Sequence, residues 1–224
     1  MKARFTPALF AHAEKVLGEV LRFDHPADAV VSRYFREHRE LGHADRGFVA
    51  ETVFAVLRRK RSLEARCGER PTPRQLVLAA LAFAFGWNLR QLEAVLKASE
   101  TDWLAAAKAV READLPPAVR CDLPDWLYGA LVAQFGEGET LALARGMNQP
   151  APLDLRVNDL KTSRAAVLER LAGDGIAAVA GALSPLAVRL ADKPALAQHP
   201  LFLDGSIEVQ DEGSQLPGLL LAPR

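Results

Sequence analysis

Near residue 150 the spacing of apolar residues changes, and that change constrains the chain more than any other feature. Before it they recur every three or four positions. From residue 153 they alternate, with Leu153, Leu155 and Val157 on one face of an extended segment and Asp154, Arg156 and Asn158 on the other. A helical period and a strand period cannot share one element. The sequence therefore divides into a helical part, residues 1–149, and a mixed α and β part, residues 150–224. With 224 residues and 50% hydrophobic content, both parts can bury a core.

In the helical part, Thr6 followed by Pro7 and Thr72 followed by Pro73 each set a side-chain acceptor at a cap and a proline in the first helical position. Helices are predicted from Pro7 to about Arg22, from Pro26 to Gly42, and from Ala44 into the basic run Arg58, Arg59, Lys60 and Arg61. That run reads either as a solvated helix end, favourable to the dipole, or as a phosphate-binding cluster. Leu76 to Phe85 is apolar on every side and belongs at the centre of a bundle. Asn88 with Gln91 resembles a capping box for a short helix through Leu96, and a further helix is predicted over Asp102–Arg111. Leu115, Pro116 and Pro117 predict a loop, Pro124 starts a helix through Phe135, and Gly138–Arg145 forms the last. Trp87, Trp103 and Trp126 lie in helical apolar patterns, so core packing is expected of them rather than base stacking.

The second part reads as a strand at Leu153–Val157, a helix at Ser163–Leu171, a turn at Gly173 and Gly175, and strands at Ile176–Val179 and Leu186–Leu190. A helical turn near Ala195–Gln198, a strand at Ile207–Gln210 and a helix after Asp211 follow. This βαββαβ order is the ferredoxin-like arrangement that RNA-recognition domains share, here without their aromatic stacking residues. Asp211 and Glu212 read either as a helix N-terminus or as a pair of neighbouring functional acids.

Lys plus Arg and Asp plus Glu number 28 each, but residues 33–74 hold eleven of the former against six of the latter. Such a local surplus suits a polyanion. Cys67 and Cys121 stand far apart and read as small core residues of a reducing compartment. The five histidines are scattered, with His38 and His43 five apart, and no metal site is expected. Glu14 and Lys15 interrupt any apolar run after Met1, and Leu76–Trp87 is too short for the roughly 20 residues of a membrane helix. A cytoplasmic monomer without a membrane partner is expected.

Three segments in order, Ala44 to Val49 with Val56 to Arg58, Leu155 to Lys161, and Gly205 to Leu216, together resemble the bacterial ribosomal RNA cytosine C5-methyltransferases of the Sun/NOL/NOP family. Ala44 Asp45 Arg46 Gly47 Phe48 Val49, continuing to Val56 Leu57 Arg58, is similar to the signature helix of a NusB-like RNA-binding domain. Leu155 to Lys161 is close to the family's strand motif, with Asp159 where threonine is usual, and Gly205 to Leu216 resembles the segment leading into the methyltransferase core. The resemblance implies a NusB-like helical bundle followed by a ferredoxin-like subdomain, with ribosomal RNA as partner. It also implies S-adenosylmethionine as cofactor of the full-length protein, and a cysteine thiolate that adds to carbon 6 of the target cytosine. In the family both the thiolate and the glycine-rich cofactor loop lie downstream of the third motif. The chain is accordingly expected to be an RNA-recognition portion that stops before the cofactor-binding core, with a stand-alone NusB-like antitermination module as the alternative. Neither cysteine has the family's Pro-Cys or Thr-Cys context, so no catalytic or cofactor-binding residue is assigned. The candidate RNA contacts are Arg46, Arg58, Arg59, Lys60 and Arg61 in the helical part, and Arg156, Asn158 and Lys161 in the second.

Overall fold

In the computed structural model, which describes residues 5–149 and 151–221, Thr6 opens the first helix as its position predicts. Its Oγ1 accepts the Leu9 N–H at 3.2 Å, and α1 (Pro7–Val20) buries Leu9, Phe10, Ala13, Val16 and Leu17 along one stripe. α2 (Ala27–Glu37) turns Val30, Val31 and Tyr34 inward, and α3 (His43–Arg58) buries Val49, Val53 and Val56.

The predicted run of α3 through Arg61 is corrected. At Arg59 the backbone leaves the helix (φ −114°, ψ 26°) and α4 (Lys60–Cys67) begins. The cause lies elsewhere in the chain. The first N–H groups of a helix need acceptors, and Arg59 offers no cap. Asp122 supplies one from 60 residues on, its carboxylate accepting the Ser62 N–H at 2.8 Å and the Ser62 hydroxyl at 2.9 Å.

Thr72 and Gln75 form the reciprocal cap of α5 (Pro73–Ala79). The element continues as a π-turn over Ala80–Ala84, and every residue from Leu76 to Ala82 is buried. This is the apolar core helix that the sequence predicts. The capping box at Asn88 and Gln91 forms, but α6 (Leu89–Leu92) is a single turn, and α7 spans Ala98–Ala109. A 3₁₀ turn at Glu112–Asp114 precedes α8 (Pro117–Arg120), which replaces the predicted loop; Pro117 occupies its first helical position. α9 (Asp125–Met147) is broken at Gly136 (φ 80°, ψ 165°), consistent with the two shorter helices expected there. Its Leu127, Tyr128 and Leu131 pack on Cys121, Leu123 and Ala144. Trp126 misses that stripe and is 74% exposed, which corrects its expected place in a core. Trp87 and Trp103 do pack against the main core, and the Trp103 indole donates to the Cys67 carbonyl at 3.2 Å.

The chain divides into two compact units between Gln149 and Pro150; Pro150 itself, like residues 1–4 and 222–224, lies outside the described residues. The second unit is β1 (Leu153–Val157), α10 (Arg164–Gly173), β2 (Ala178–Ala180), β3 (Ala187–Leu190), α11 (Pro200–Leu203), β4 (Ile207–Val209) and α12 (Glu212–Leu221). Its sheet order is β2-β3-β1-β4, antiparallel throughout. This is the ferredoxin-like topology. Leu155, Val157, Val188, Leu190 and Ile207 form one buried face with Val167 and Leu171 of α10. The helical turn expected near Ala195 falls instead at Pro200, where the His199 side chain accepts the Leu201 N–H at 3.3 Å.

Candidate nucleic-acid interface

Alternation assigns Asp154 to a polar outer face, yet it is only 3% exposed. Arg189, its cross-strand partner on β3, donates to it through Nε at 2.7 Å and Nη2 at 2.8 Å, and the Glu212 N–H donates to it at 3.2 Å. Glu212 is also buried: it accepts the Leu183 N–H at 2.7 Å and the Ser184 N–H at 3.0 Å, and pairs with Arg189 at 3.3 Å. Gln215 completes the network, its Oε1 accepting the Ser184 hydroxyl at 2.8 Å. Arg189 holds the Asp154 carboxyl below the usual carboxylate range, and the Ser184 and Leu183 N–H groups do the same for Glu212. The two neighbouring acids after β4 thus differ in role. Asp211 caps α12 by accepting the Ser214 N–H at 3.1 Å, as the helix-terminus reading has it, whereas Glu212 ties α12 to the β2–β3 turn and to β3.

The three expected contacts of the second unit are each held by their own neighbours. Arg156 pairs with Glu208, opposite it on β4. Asn158 donates to the Gly205 carbonyl at 3.0 Å and accepts the Leu160 N–H at 3.2 Å, and Lys161 donates to the Asp204 carbonyl. These bonds close the β1–α10 turn against the turn before β4.

Among the expected contacts of the first unit, Arg46 donates to the Leu41 carbonyl at 2.9 Å and lies over the Phe35 ring at 5.7 Å. With Arg36 and Arg39 it lines a shallow hollow. Lys60 pairs with Glu64 at 2.6 Å, while Arg61 donates to the Leu123 carbonyl and pairs with Asp125 at 2.9 Å. Arg58 is exposed. Arg59 enters a cleft of about 370 Å³ that Arg66, Arg120 and Arg145 also line. No carboxylate among the described residues lies within salt-bridge distance of Arg59 or Arg120, and the Arg120 Nε is buried without a partner. Sequence reading misses Arg66, Arg120 and Arg145, because α4, α8 and α9 bring them together only in three dimensions.

His12, His38 and Glu40 also meet, their potential ligand atoms within 4.8 Å of one another. Local histidine spacing does not foresee this, since His12 is on α1. Their own bonds account for the arrangement: His12 to the Tyr34 hydroxyl at 2.9 Å and His38 to Glu40 at 2.7 Å.

The residues present do not fit methyl-transfer chemistry. Burial pushes the Cys67 thiol up to about 12 and raises that of Cys121, so neither is a poised thiolate. The strand-to-helix connections 158–163, 191–199 and 210–211 contain no glycine to cradle a cofactor. No helix among the described residues is long and apolar enough to cross a membrane.

Residues 123–197 match the family described as Methyltr_RsmF/B-like, ferredoxin-like domain. The match begins before the division at residue 149 and so takes in α9 as well as the first three strands. A probable ribosomal RNA small subunit methyltransferase B of Synechocystis is 30% identical over 93% of this chain and 54% of its own length. The ribosomal RNA small subunit methyltransferase B of Xanthomonas campestris is 32% identical over 80% of the chain and 46% of its own length. The chain thus spans about half the length of these relatives. The crystal structure of PH0851 superposes with a TM-score of 0.64 at 16% identity, covering 100% of this chain and 57% of that one, which shows a shared fold. Over most of its length the chain is similar to ribosomal RNA small subunit methyltransferase B proteins, the Sun-type family that its three motifs resemble.

Proposed function

We propose that this chain is the RNA-recognition portion of an S-adenosylmethionine-dependent ribosomal RNA (cytosine-C5) methyltransferase, with residues 1–149 and 150–224 as its two working domains. The observation that carries the reading is the basic joint between α3 and α4, which holds Arg58 exposed and Arg59 without a carboxylate partner in a unit of a chain whose relatives are named for ribosomal RNA methylation. An arginine free of internal partners can neutralise a phosphate and release its counterions. Arg46, Lys60, Arg61, Arg156, Asn158 and Lys161 already hold internal partners and shape the surface around that joint and the second unit. Cofactor and nucleophile belong to other residues of the whole enzyme, since Cys67 and Cys121 are buried thiols.

The test is fluorescence anisotropy of a small-subunit ribosomal RNA fragment titrated with the 224-residue chain at rising salt. Saturable binding is expected. Replacing Arg58 to Arg61 together with alanine should flatten the log-log salt slope by about 0.7 to 0.9 for every phosphate that those side chains neutralise. Absence of binding at low salt, or an unchanged slope, would overturn the reading.

A further inference from the structure

We infer that the arginine cleft of the helical unit is a phosphate-binding site. Its walls come from α4, the π-turn after α5, the segment 112–122 and the last turns of α9. Among the described residues, Arg59, Arg66, Arg120 and Arg145 line it against two carboxylates, Glu112 and Asp122. Both acids are already engaged. Asp122 is spent on the Ser62 N–H and hydroxyl, and Glu112 meets Arg145 at 3.6 Å in an exposed pair.

The arginines are set in place rather than adrift. Arg66 donates to the Val110 carbonyl and lies 4.9 Å over the Phe83 ring, which fixes its planar fork. Arg120 keeps a buried Nε–H with no acceptor among the described residues. A buried donor without an acceptor costs free energy, as does gathering like charges in a concave site. One bound oxyanion relieves both, and a guanidinium fork matches two phosphate oxygens at once. A carboxylate ligand would meet the same donors with fewer oxygens. The surplus of arginines favours the more highly charged group.

The ligand is a phosphate group. Its source as a phosphodiester of RNA rests on the function proposed above, and a free phosphate ion would use the same donors. Two probes separate these sources: inorganic phosphate, followed by phosphorus NMR line width, and the small-subunit RNA fragment, followed by anisotropy. Both are titrated into the 224-residue chain and into its Arg59→Ala, Arg120→Ala, Arg120→Lys and Arg33→Ala variants. Arg33 is a control, exposed and paired with Glu19 at 3.3 Å.

The expected result is a loss of at least about tenfold in RNA affinity for Arg59→Ala and Arg120→Ala, the size of one charge-assisted hydrogen bond. Partial recovery is expected in Arg120→Lys and no change in Arg33→Ala, with the phosphate line broadened by the parent chain and not by Arg120→Ala. If phosphate titrates the cleft while RNA does not bind the parent chain, the site stands and the RNA reading fails. If both alanine variants bind both probes like the parent chain, or lose melting temperature while keeping affinity, there is no such site.

Discussion

Arg120 and Arg189 are the same side chain in opposite circumstances. Arg189, on β3 of the second unit, is matched by two carboxylates and bonds Asp154 in a bidentate fork. Arg120, at the end of α8 in the first unit, has a buried Nε and no partner among the described residues. Around β3 the charges are consumed in holding strands and helix together; in the cleft of the first unit, Arg59 and Arg120 are left over. A charge satisfied internally is part of the fold, whereas one left unsatisfied in a cleft is available to a ligand.

The largest effect is expected at the buried network around Asp154. Replacing Asp154 with alanine strands the Glu212 N–H and removes the fork of Arg189, with an expected cost of about 2–3 kcal/mol in the stability of the second unit, measured by urea denaturation. Gly181→Ala should cost a comparable amount by overpacking, because a Cβ there would lie under 3 Å from both the Ala187 Cβ and the Glu212 carboxylate, and neither has room to withdraw. Denaturation midpoints within error of the parent would show that the network is ornamental.

The β3 network and the Asp122 cap also differ in the sign of their pH dependence. Asp154 and Glu212 titrate below their ordinary values of 3.8 and 4.5, so their contribution is complete above that range and is lost as pH falls through the lowered values. Asp122 is raised from 3.8, chiefly by burial, so its contribution is complete below that value and is lost as pH rises through the raised one. Asp154→Asn should therefore flatten the acid limb of the stability profile, and Asp122→Asn the slope on its other side. Parallel profiles for both variants would contradict the assignment.

Next in size is the pair Arg189→Ala and Arg120→Ala. The first should lower the melting temperature and leave RNA affinity alone. The second removes a buried donor that has no acceptor, so stability should hold or rise while RNA affinity falls about tenfold. Equal behaviour of the two would erase the distinction between spent and unspent arginines.

What the sequence reveals of this follows from how local each cause is. The β1 alternation, the uniformly apolar Leu76–Ala82 and the caps at Thr6 and Thr72 are all set within a few residues, and each is legible. The break at Arg59 is not, because no glycine or proline marks it and its cap arrives from Asp122. The cleft is illegible for the same reason: its arginines come from positions 59, 66, 120 and 145, and nothing local distinguishes Arg120 from a solvated charge. Asp154 carries a faint signal that alternation overrides. An acid in the middle of a strand, with Arg189 similarly placed in the run Ala187 to Leu190, hints at a cross-strand pair.

The smallest effect is expected at Arg156, where a strand-face guanidinium has two readings. An RNA-facing patch with Asn158 and Lys161 would make it discriminate among bases by about 1–3 kcal/mol. Its pairing with Glu208 across β1 and β4 offers a structural role instead, and both partners are about half exposed, at 46% and 53%. Exposed pairs contribute only about 0.2–1 kcal/mol, because water screens them and ordering two long side chains has an entropic cost. Asn158 and Lys161 are likewise bound to backbone carbonyls at Gly205 and Asp204, which ties both to the turn before β4. Arg156→Ala should therefore lower stability within that small range and leave RNA affinity unchanged, and Glu208→Ala should reproduce the stability loss. A drop in affinity for Arg156→Ala at constant melting temperature, absent in Glu208→Ala, would move the second unit from scaffold to reader and erase its contrast with the first.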